Sequence, residues 1–384
     1  MRFHFLTITT LGALSVAQDL GVPLAWREFS NKYTLAQRIN FGQNGINAIM
    51  PQLTSSDAQF NGIGYWQAAN VWSNLANQDH WAGTTVNEAT VVANLNTAFS
   101  LYANYDQYGY NDDAMWWATA AYYGWRAYKN TNLLAHAVAT WNHVTQYVIT
   151  TADAAAKKQP NKSFAIESAC KGGGVFWRPT ASDTAINSIT TGLSAFLAEA
   201  TGNATYTNAA ILSANWIQNQ NLNSAYLVLD TVDADSCSTS PATELFTYNS
   251  GKYIEGLSVL AAITGNAQWT NLMTNIVNAA VKSTVWQGTN GIITEGADTT
   301  ANNDAVGFKA VFLRGIHEAY NRSANSALKT LIHSYLDVQY NAILELAATG
   351  STYSASWTGP PQAFTSWGQL AALDVLTTAI DTNN

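Results

Sequence analysis

Charged side chains are scarce in this chain of 384 residues. Only 11% of the residues are Asp, Glu, Lys or Arg, whereas about a quarter is usual in soluble domains. The 25 acidic residues outnumber the 17 basic ones, which gives a formal net charge of −8 at pH 7. Because so little positive charge is available to bind a polyanion, we expect neither nucleic acid nor a membrane surface as a partner.

Two common kinds of catalytic site also lack their signatures. The six histidines are scattered without the spacing of a zinc site, and there is no Gly-x-Ser-x-Gly elbow. The only cysteines, Cys170 and Cys237, are too few for a metal site, and in an oxidising compartment such a pair favours one disulfide. The sequence therefore predicts no metal and no cofactor, and it argues against metal-dependent or serine-based hydrolysis.

Long apolar runs are missing too, since no segment is continuously apolar over the ~20 residues that span a bilayer. Near the start, Arg2 precedes a shorter apolar run, Phe5–Val16, which ends in a small-x-small pattern at Ala17. Residues 1–17 are therefore predicted to be a signal peptide of a secreted, extracellular protein, with a buried N-terminal helix as the alternative. Residues 18–384 contain no linker and are predicted to form one domain and a monomer. The sequons at Asn161, Asn203 and Asn321 are expected to be glycosylated if the source is eukaryotic.

Aromatic residues, by contrast, are plentiful. The chain has 14 tryptophans and 18 tyrosines beside a surface that must be rich in Asn, Thr, Ser and Gln. Exposed aromatic faces and neutral polar groups suit an uncharged, hydroxyl-rich ligand such as a sugar. The alternative is that most of these rings fill the core.

Helical periodicity dominates the rest of the chain and predicts an all-α fold of about eleven or twelve helices, the first over Gln67–Asn77 and the last over Gln369–Ile380. The joint Thr201–Tyr206 is echoed by Thr264–Trp269, and each places a Gly and an Asn where one helix stops and the next begins. The repeating unit is thus a helical hairpin of roughly 60 residues. About six such hairpins fill the chain, either as a closed ring or as an open solenoid.

An adjacent pair of carboxylates, Asp112 and Asp113, stands just before a helix predicted to begin at Ala114. Neighbouring carboxylates repel each other and tend to split their pKa values, so that one is ionised while the other keeps its proton. Their Cα atoms lie about 3.8 Å apart, which suits the carboxyl separation of ~5–5.5 Å in retaining glycosidases. The competing interpretation is simple capping of the helix start.

Several other segments hold candidate ligand-binding residues. The glycine-rich segment 170–178 brings Trp177 beside backbone that a ligand can approach, and an acidic segment, 230–235, begins with Asp230. An EF-hand pattern is absent from the acidic segment. The remaining candidates stand at helix starts, where capping or core packing is the alternative: Trp66, Gln67, Tyr248, Asn249, Phe308, Lys309 and Trp367.

Taken together, these segments resemble glycoside hydrolase family 76 across nearly all of the chain. The matching segments are Tyr-Asn-Asp-Asp-Ala-Met-Trp-Trp at 110–117, the glycine stretch ending at Trp177, Tyr-Asn-Ser-Gly at 248–251 and Gly-Phe-Lys at 307–309. The resemblance implies a six-hairpin (α/α)6 barrel and retaining hydrolysis of α-1,6-mannosidic bonds, with Asp112 as nucleophile and Asp113 as acid/base. It also implies that Asp230 binds mannose hydroxyls near the scissile bond. With the candidates above, the full set of predicted substrate-binding residues is Trp66, Gln67, Asn111, Trp117, Trp177, Asp230, Tyr248, Asn249, Phe308, Lys309 and Trp367.

Two positions depart from the family pattern: Thr231 stands where a glycine is expected, and Ser250 where a glutamine is usual. The family also contains fungal cell-wall proteins thought to be transglycosidases on mannose-containing membrane anchors. The C-terminal residues lack the spacer and apolar tail of an anchor signal. A secreted endo-α-1,6-mannanase acting on α-mannan is therefore expected, with a transglycosidase or a non-catalytic mannan-binding protein as the alternatives.

Overall fold

The structure is a computed structural model that describes residues 19–184, 187–241 and 243–383. The predicted signal peptide, residues 1–17, lies outside the described residues. Within them the chain forms thirteen α-helices and two short antiparallel hairpins, in which Leu53 pairs with Phe60 and Ala348 with Tyr353. The helices are α1 Leu35–Ile49, α2 Tyr65–Ala82, α3 Glu88–Leu101, α4 Asn111–Tyr128, α5 Thr131–Val144, α6 Thr151–Ala156, α7 Asn187–Thr201, α8 Ala204–Trp216, α9 Thr247–Thr264, α10 Ala267–Val281, α11 Asp304–Arg322, α12 Ser326–Leu346 and α13 Ser366–Thr382; the strands are β1 Leu53–Thr54, β2 Gln59–Phe60, β3 Ala348–Thr349 and β4 Thr352–Tyr353.

Six helices form a closed inner ring. Helices α2, α4, α7, α9, α11 and α13 each contact the next, and α13 returns to contact α2. The other long helices, α1, α3, α5, α8, α10 and α12, pack outside this ring. The predicted (α/α)6 barrel is therefore confirmed, and the closed ring replaces the alternative of an open solenoid. Among the described residues, no helix is both long enough and apolar enough to cross a membrane.

Burial follows this inner and outer arrangement. Every residue of α9 from Thr247 to Leu260 is buried, because neighbours surround an inner helix on all sides. Helix α3 buries only Val91, Leu95 and Ala98, which lie on a single stripe. The outer helix α3 therefore buries a single face, whereas the inner helix α9 is enclosed on all sides over its first fourteen residues.

The repeated joints have the predicted conformations. Gly202 and Gly265 adopt left-handed backbone angles, with φ of 67° and 63°, a region that costs glycine little. Asn203 and Asn266 then cap the next helices by accepting hydrogen bonds of 2.9 Å from the backbone N–H groups two residues later. Local chemistry alone therefore sets these helix boundaries.

Helix α1 is absent from the sequence-based assignment, and its glycines explain why. Glycine weakens an isolated helix, so Gly42 and Gly45 read as breaks. In the structure a Cβ added at Gly45 would lie 2.7 Å from Leu376 of α13, and one at Gly42 would lie 2.2 Å from Gln78 of α2. These glycines let α1 approach the inner ring closely. The short α6 was also not predicted.

Several charged residues of the inner helices are buried within the ring. Glu255 of α9 pairs with Lys252 one turn earlier and accepts a hydrogen bond from Tyr123 of α4. Arg126 of α4 pairs with Glu318 of α11. The Tyr123–Glu255 hydrogen bond and the Arg126–Glu318 pair link inner helices that are not neighbours in the ring. Removal of one partner of either ion pair would leave a buried charge uncompensated.

Candidate active site

A cavity of about 680 Å³ opens at the end of the barrel where the inner helices begin. Helices α2, α4, α9 and α11 contribute residues from their first turns, and two long loops complete the wall. The described lining consists of Trp66, Tyr110, Asp112, Asp113, Trp116, Trp177, Asp183, Asp230, Thr231, Glu244, Tyr248, Asp304 and Phe308. Because helix N-termini carry partial positive charge, this end of the ring suits carboxylates.

The sequence predicts that the paired aspartates stand just before α4. In the structure they lie within its first turn. The helix begins at Asn111, whose side-chain amide donates a hydrogen bond of 2.9 Å to the backbone oxygen of Phe176. The backbone N–H of Asn111 also donates to the oxygen of Trp177, at 2.8 Å. The glycine-rich segment thus accepts a hydrogen bond from the Asn111 N–H group, which has no partner within the helix. This contact stabilises a helix start at Asn111, three residues before the predicted one.

Burial strongly perturbs the titration of this pair. Burial raises the pKa of Asp112 to about 7, although hydrogen bonds from the Asp113 backbone and the Trp177 side chain stabilise its anionic form. The pKa of Asp113 is raised to about 8, first by burial and then by the negative charges of Asp112 and Asp304. Asp112 is therefore the first of the two to ionise, and Asp113 retains its proton longer.

Acidic groups dominate the cavity. Besides the pair, Asp183, Asp230, Glu244 and Asp304 line it, and the described lining contains no lysine or arginine. One oxygen of Asp230 accepts hydrogen bonds of 2.8 Å from both the Tyr248 hydroxyl and the Asn249 amide. Burial nevertheless raises the pKa of Asp230.

Aromatic rings form the rest of the wall in two groups. On one side, the rings of Trp66 and Trp116 lie 5.7 Å apart, and the ring of Phe308 lies 5.6 Å from Trp66 and 4.3 Å from Tyr248. On the other side, the rings of Tyr110 and Trp177 lie 4.9 Å apart. Such apolar faces beside carboxylates can bind a sugar through its C–H face and its hydroxyl groups at once.

The structure brings together seven of the residues singled out in the sequence. Asp112, Asp113, Trp66, Trp177, Asp230, Tyr248 and Phe308 all line the cavity. The other six lie outside the lining, because successive residues of a helix point in different directions. Their places are as follows: Gln67 caps α2 and pairs with Asn302, Asn111 holds the glycine-rich segment, Trp117 donates to the Tyr65 oxygen, Asn249 supports Asp230, Lys309 donates to the Ala355 oxygen, and Trp367 packs on the core.

Sequence reasoning missed six lining residues. Trp116 lies four residues after Asp112, and Asp304 lies four before Phe308, so helical spacing alone could have identified both. Tyr110 stands inside the quoted motif, but it was not selected. Asp183, Thr231 and Glu244 lie in loops, where no periodicity identifies the side chains that face inward.

A disulfide joins the two loops that complete the wall. Cys170 and Cys237 are bonded, with Cα atoms 5.2 Å apart, as predicted from their number. Both positions that depart from the family pattern also lie here: Thr231 lines the cavity, and the Ser250 hydroxyl accepts a hydrogen bond of 3.2 Å from the Val228 backbone. The loops are thereby attached to each other and to the start of α9.

Comparison with known proteins places this site in a family. The model of glycosyl hydrolase family 76 matches residues 40–383. No curated protein matches the chain.

Solved structures show the same fold. One is an inactive α-1,6-mannanase variant from Salegentibacter sp. HEL1_6 in complex with α-1,6-mannotetrose, with a TM-score of 0.77, 13% identity, and coverage of 90% of this chain and 99% of that one. Another is Dfg5 from Chaetomium thermophilum in complex with glucosamine, with a TM-score of 0.74, 14% identity and coverage of 92% of each chain. At this identity the likeness concerns the fold, whereas the family model spans most of the sequence. The chain belongs to glycosyl hydrolase family 76.

Proposed function

We propose that this protein is a secreted, retaining endo-α-1,6-mannanase with Asp112 as nucleophile and Asp113 as acid/base. The observation that carries the proposal is the adjacent aspartate pair at the wall of an aromatic, acidic cavity. The order in which the two carboxyls ionise matches the two roles, because a nucleophile must be anionic while the acid must hold a proton. In the Salegentibacter relative, inactive variants carry substitutions at two consecutive aspartates.

In the first step, an oxygen of Asp112 attacks the anomeric carbon of a mannosyl unit while Asp113 donates its proton to the departing glycosidic oxygen. The C–O bond to the leaving sugar breaks and a glycosyl ester with Asp112 forms. The Trp177 side chain and the Asp113 backbone N–H favour the anionic form of Asp112 that this attack needs, and they oppose the burial that raises its pKa.

In the second step, the ionised Asp113 takes a proton from water, and the water oxygen attacks the same anomeric carbon. The ester bond breaks, Asp112 returns as a carboxylate, and Asp113 is again protonated. Two displacements at one carbon restore the original α configuration. Transfer to a second sugar would use the same intermediate and differ only in the acceptor.

Support for a mannan substrate comes from the family and from the bound ligands of relatives. The Salegentibacter structures hold α-1,6-linked mannotetrose and mannotriose. A cavity of about 680 Å³ that is open to solvent suits several sugar units of a longer chain. Family membership makes the protein a glycoside hydrolase; the α-1,6 linkage and the endo action are our proposals.

The test is incubation with linear α-1,6-mannan, with products followed by chromatography and their first-formed anomer by NMR. We expect short α-configured manno-oligosaccharides from the wild type and none from Asp112→Asn. Products longer than an oligosaccharide input would identify a transglycosidase. Binding without turnover would refute both enzyme assignments, and a β-configured first product would refute the role of Asp112.

Secretion as a single glycosylated domain remains a proposal that follows from residues 1–17 and the sequons. Asn203 is exposed at the start of α8, which suits modification. N-terminal sequencing and intact mass of the protein collected from the medium of its native host would check both points. An N-terminus at Met1 would exclude cleavage.

A further inference from the structure

Lys162 has an unusual environment beside the active site. Its side chain is buried, with 7% exposure, and among the described residues it forms no ion pair. Instead the ammonium group donates three hydrogen bonds to backbone oxygens: 2.7 Å to Arg178, 2.9 Å to Pro179 and 2.5 Å to Ala181. An ammonium group has three N–H donors, so all of them are used within one turn.

The turn that Lys162 fills, residues 178–181, is also supported by an aromatic ring. The ammonium lies 3.9 Å from the centre of the Phe176 ring, a distance at which a desolvated cation is attracted to the ring face. A buried charge without a counter-ion is costly unless such contacts are all made. The position of Lys162 is therefore coupled to the shape of this turn.

The two ends of the turn reach the cavity. Trp177 and Asp183 both line it, and the Trp177 N–H donates a hydrogen bond of 2.8 Å to the Asp183 oxygen. The Trp177 oxygen accepts from the N–H of Asn111 at the start of α4. The Trp177 side chain lines the cavity beside Asp112, and its hydrogen-bonding interaction with that carboxyl favours the anionic form. A continuous path of contacts thus connects Lys162 to Asp112.

We propose that Lys162 is a positioning residue that locks the turn 178–181 and thereby holds the Trp177 side chain against Asp112. The proposal rests on the function assigned above. It predicts that the loss of Lys162 weakens the Trp177 hydrogen bond, so that Asp112 ionises at higher pH.

The ionisable groups that face Asp112 are Asp113, Asp304 and Tyr248. Charged groups also stand at the turn itself: Arg178 donates a hydrogen bond of 2.8 Å to the Tyr110 hydroxyl, Asp183 lines the cavity, and burial lowers the pKa of Lys162 to about 8. Lys162→Arg keeps the positive charge at this position, so a shift shared by Lys162→Met and Lys162→Arg and absent when Trp177 is already Phe can be assigned to Trp177.

The experiment compares the pH profiles of kcat/KM for the wild type, Lys162→Met, Trp177→Phe and the double variant. The acid limb is the low-pH part of the profile, where kcat/KM rises as Asp112 ionises. A hydrogen bond to a charged group is worth roughly 1.5–3 kcal/mol, so each single variant should move the midpoint of this limb to higher pH by about one unit. The double variant should show no further rise, because both changes remove the same hydrogen bond. Lys158→Met, at an exposed lysine of the same segment, is the matched control and should leave the limb unchanged.

Hydrogen exchange of residues 176–184 provides a readout that does not depend on activity. Lys162→Met should accelerate exchange there, whereas Lys158→Met should not. If Lys162→Met does not fold, Lys162→Arg keeps the charge but cannot reproduce three converging N–H groups, and the same shifts are expected. A wild type without mannanase activity would refute the proposed function. The exchange result would still show whether Lys162 locks the turn 178–181. An unchanged acid limb together with unchanged exchange would overturn the inference.

Discussion

Replacement of Asp113 by asparagine tests the assignment of roles most directly. The variant keeps the size of the side chain but has no proton to give to the leaving oxygen. Loss of a general acid costs about 10²–10⁴-fold in rate, which is roughly 3–5 kcal/mol of transition-state stabilisation. We expect kcat/KM on α-1,6-mannan to fall by this amount.

The loss should depend on the leaving group. An aryl α-1,6-mannotrioside whose phenol is acidic needs no proton to depart, so Asp113→Asn should form the glycosyl ester at nearly the wild-type rate. Hydrolysis of the ester should be slow, because Asp113 is the base of that step. A burst of phenol should therefore be released, and glycosylated Asp112 should accumulate and be detectable by mass spectrometry. Asp183→Asn, at another cavity carboxyl, is the control and should show no such dependence on the leaving group. Equal losses on both substrates would refute the role of Asp113.

The pH profile gives a second reading of the same variant. Wild-type kcat/KM should rise as Asp112 ionises near pH 7 and fall as Asp113 loses its proton near pH 8. At the acid limb Asp113 is neutral, as asparagine is, so Asp113→Asn should keep that limb and lose the alkaline one. The folded-state pKa of Asp113 lies above its ordinary value of 3.8, so its ionisation opposes folding as pH rises between these values. The variant should therefore have a higher Tm than the wild type at pH 8, and a lower Tm would contradict the raised pKa.

Three further changes test the charge, packing and covalent links around the site. Asp304→Asn removes a negative charge that raises the pKa of Asp112 and of Asp113, so both limbs of the pH profile should move to lower pH. Limbs that stay in place would contradict this electrostatic coupling. Gly315→Ala would place a Cβ 2.0 Å from the Gly251 oxygen where α9 meets α11, and overpacking of this kind should cost about 1–3 kcal/mol in urea unfolding. Cys170→Ser opens a link across a sequence separation of 67 residues, for which chain entropy predicts a loss of about 4 kcal/mol; wild type under reducing conditions should show the same drop in Tm.

Much of the fold could be predicted from local sequence alone. The joints at Gly202 and Gly265 determine helix ends because glycine adopts left-handed backbone angles at low cost, and the asparagines that follow cap the next helix. Helix α1 could not be recognised in this way. Its glycines weaken the helix locally, and only their contacts with α2 and α13 show that they serve close packing.

The residues of the candidate site also fall into two groups, those that helical spacing predicts and those that only the structure reveals. Residues that share a helical face with Asp112 or Phe308 follow from spacing, whereas Asp183, Thr231 and Glu244 reach the cavity from loops whose path depends on the disulfide and on turns such as 178–181. Lys162 gave no signal in the sequence, since a single lysine in a loop usually points to solvent. Its role is visible only where three backbone oxygens converge.

Residues close together in the chain are enough to predict the helical hairpins, their joints and the adjacent pair of carboxylates. Closure of the ring, the choice of side chains that face the cavity and the order in which the two aspartates ionise are properties of the folded chain. Those properties depend on burial, on the hydrogen bonds from Trp177 and the helix backbone to Asp112, and on the negative charge that Asp304 contributes from α11. They arise from groups that are far apart in sequence and become neighbours only on folding.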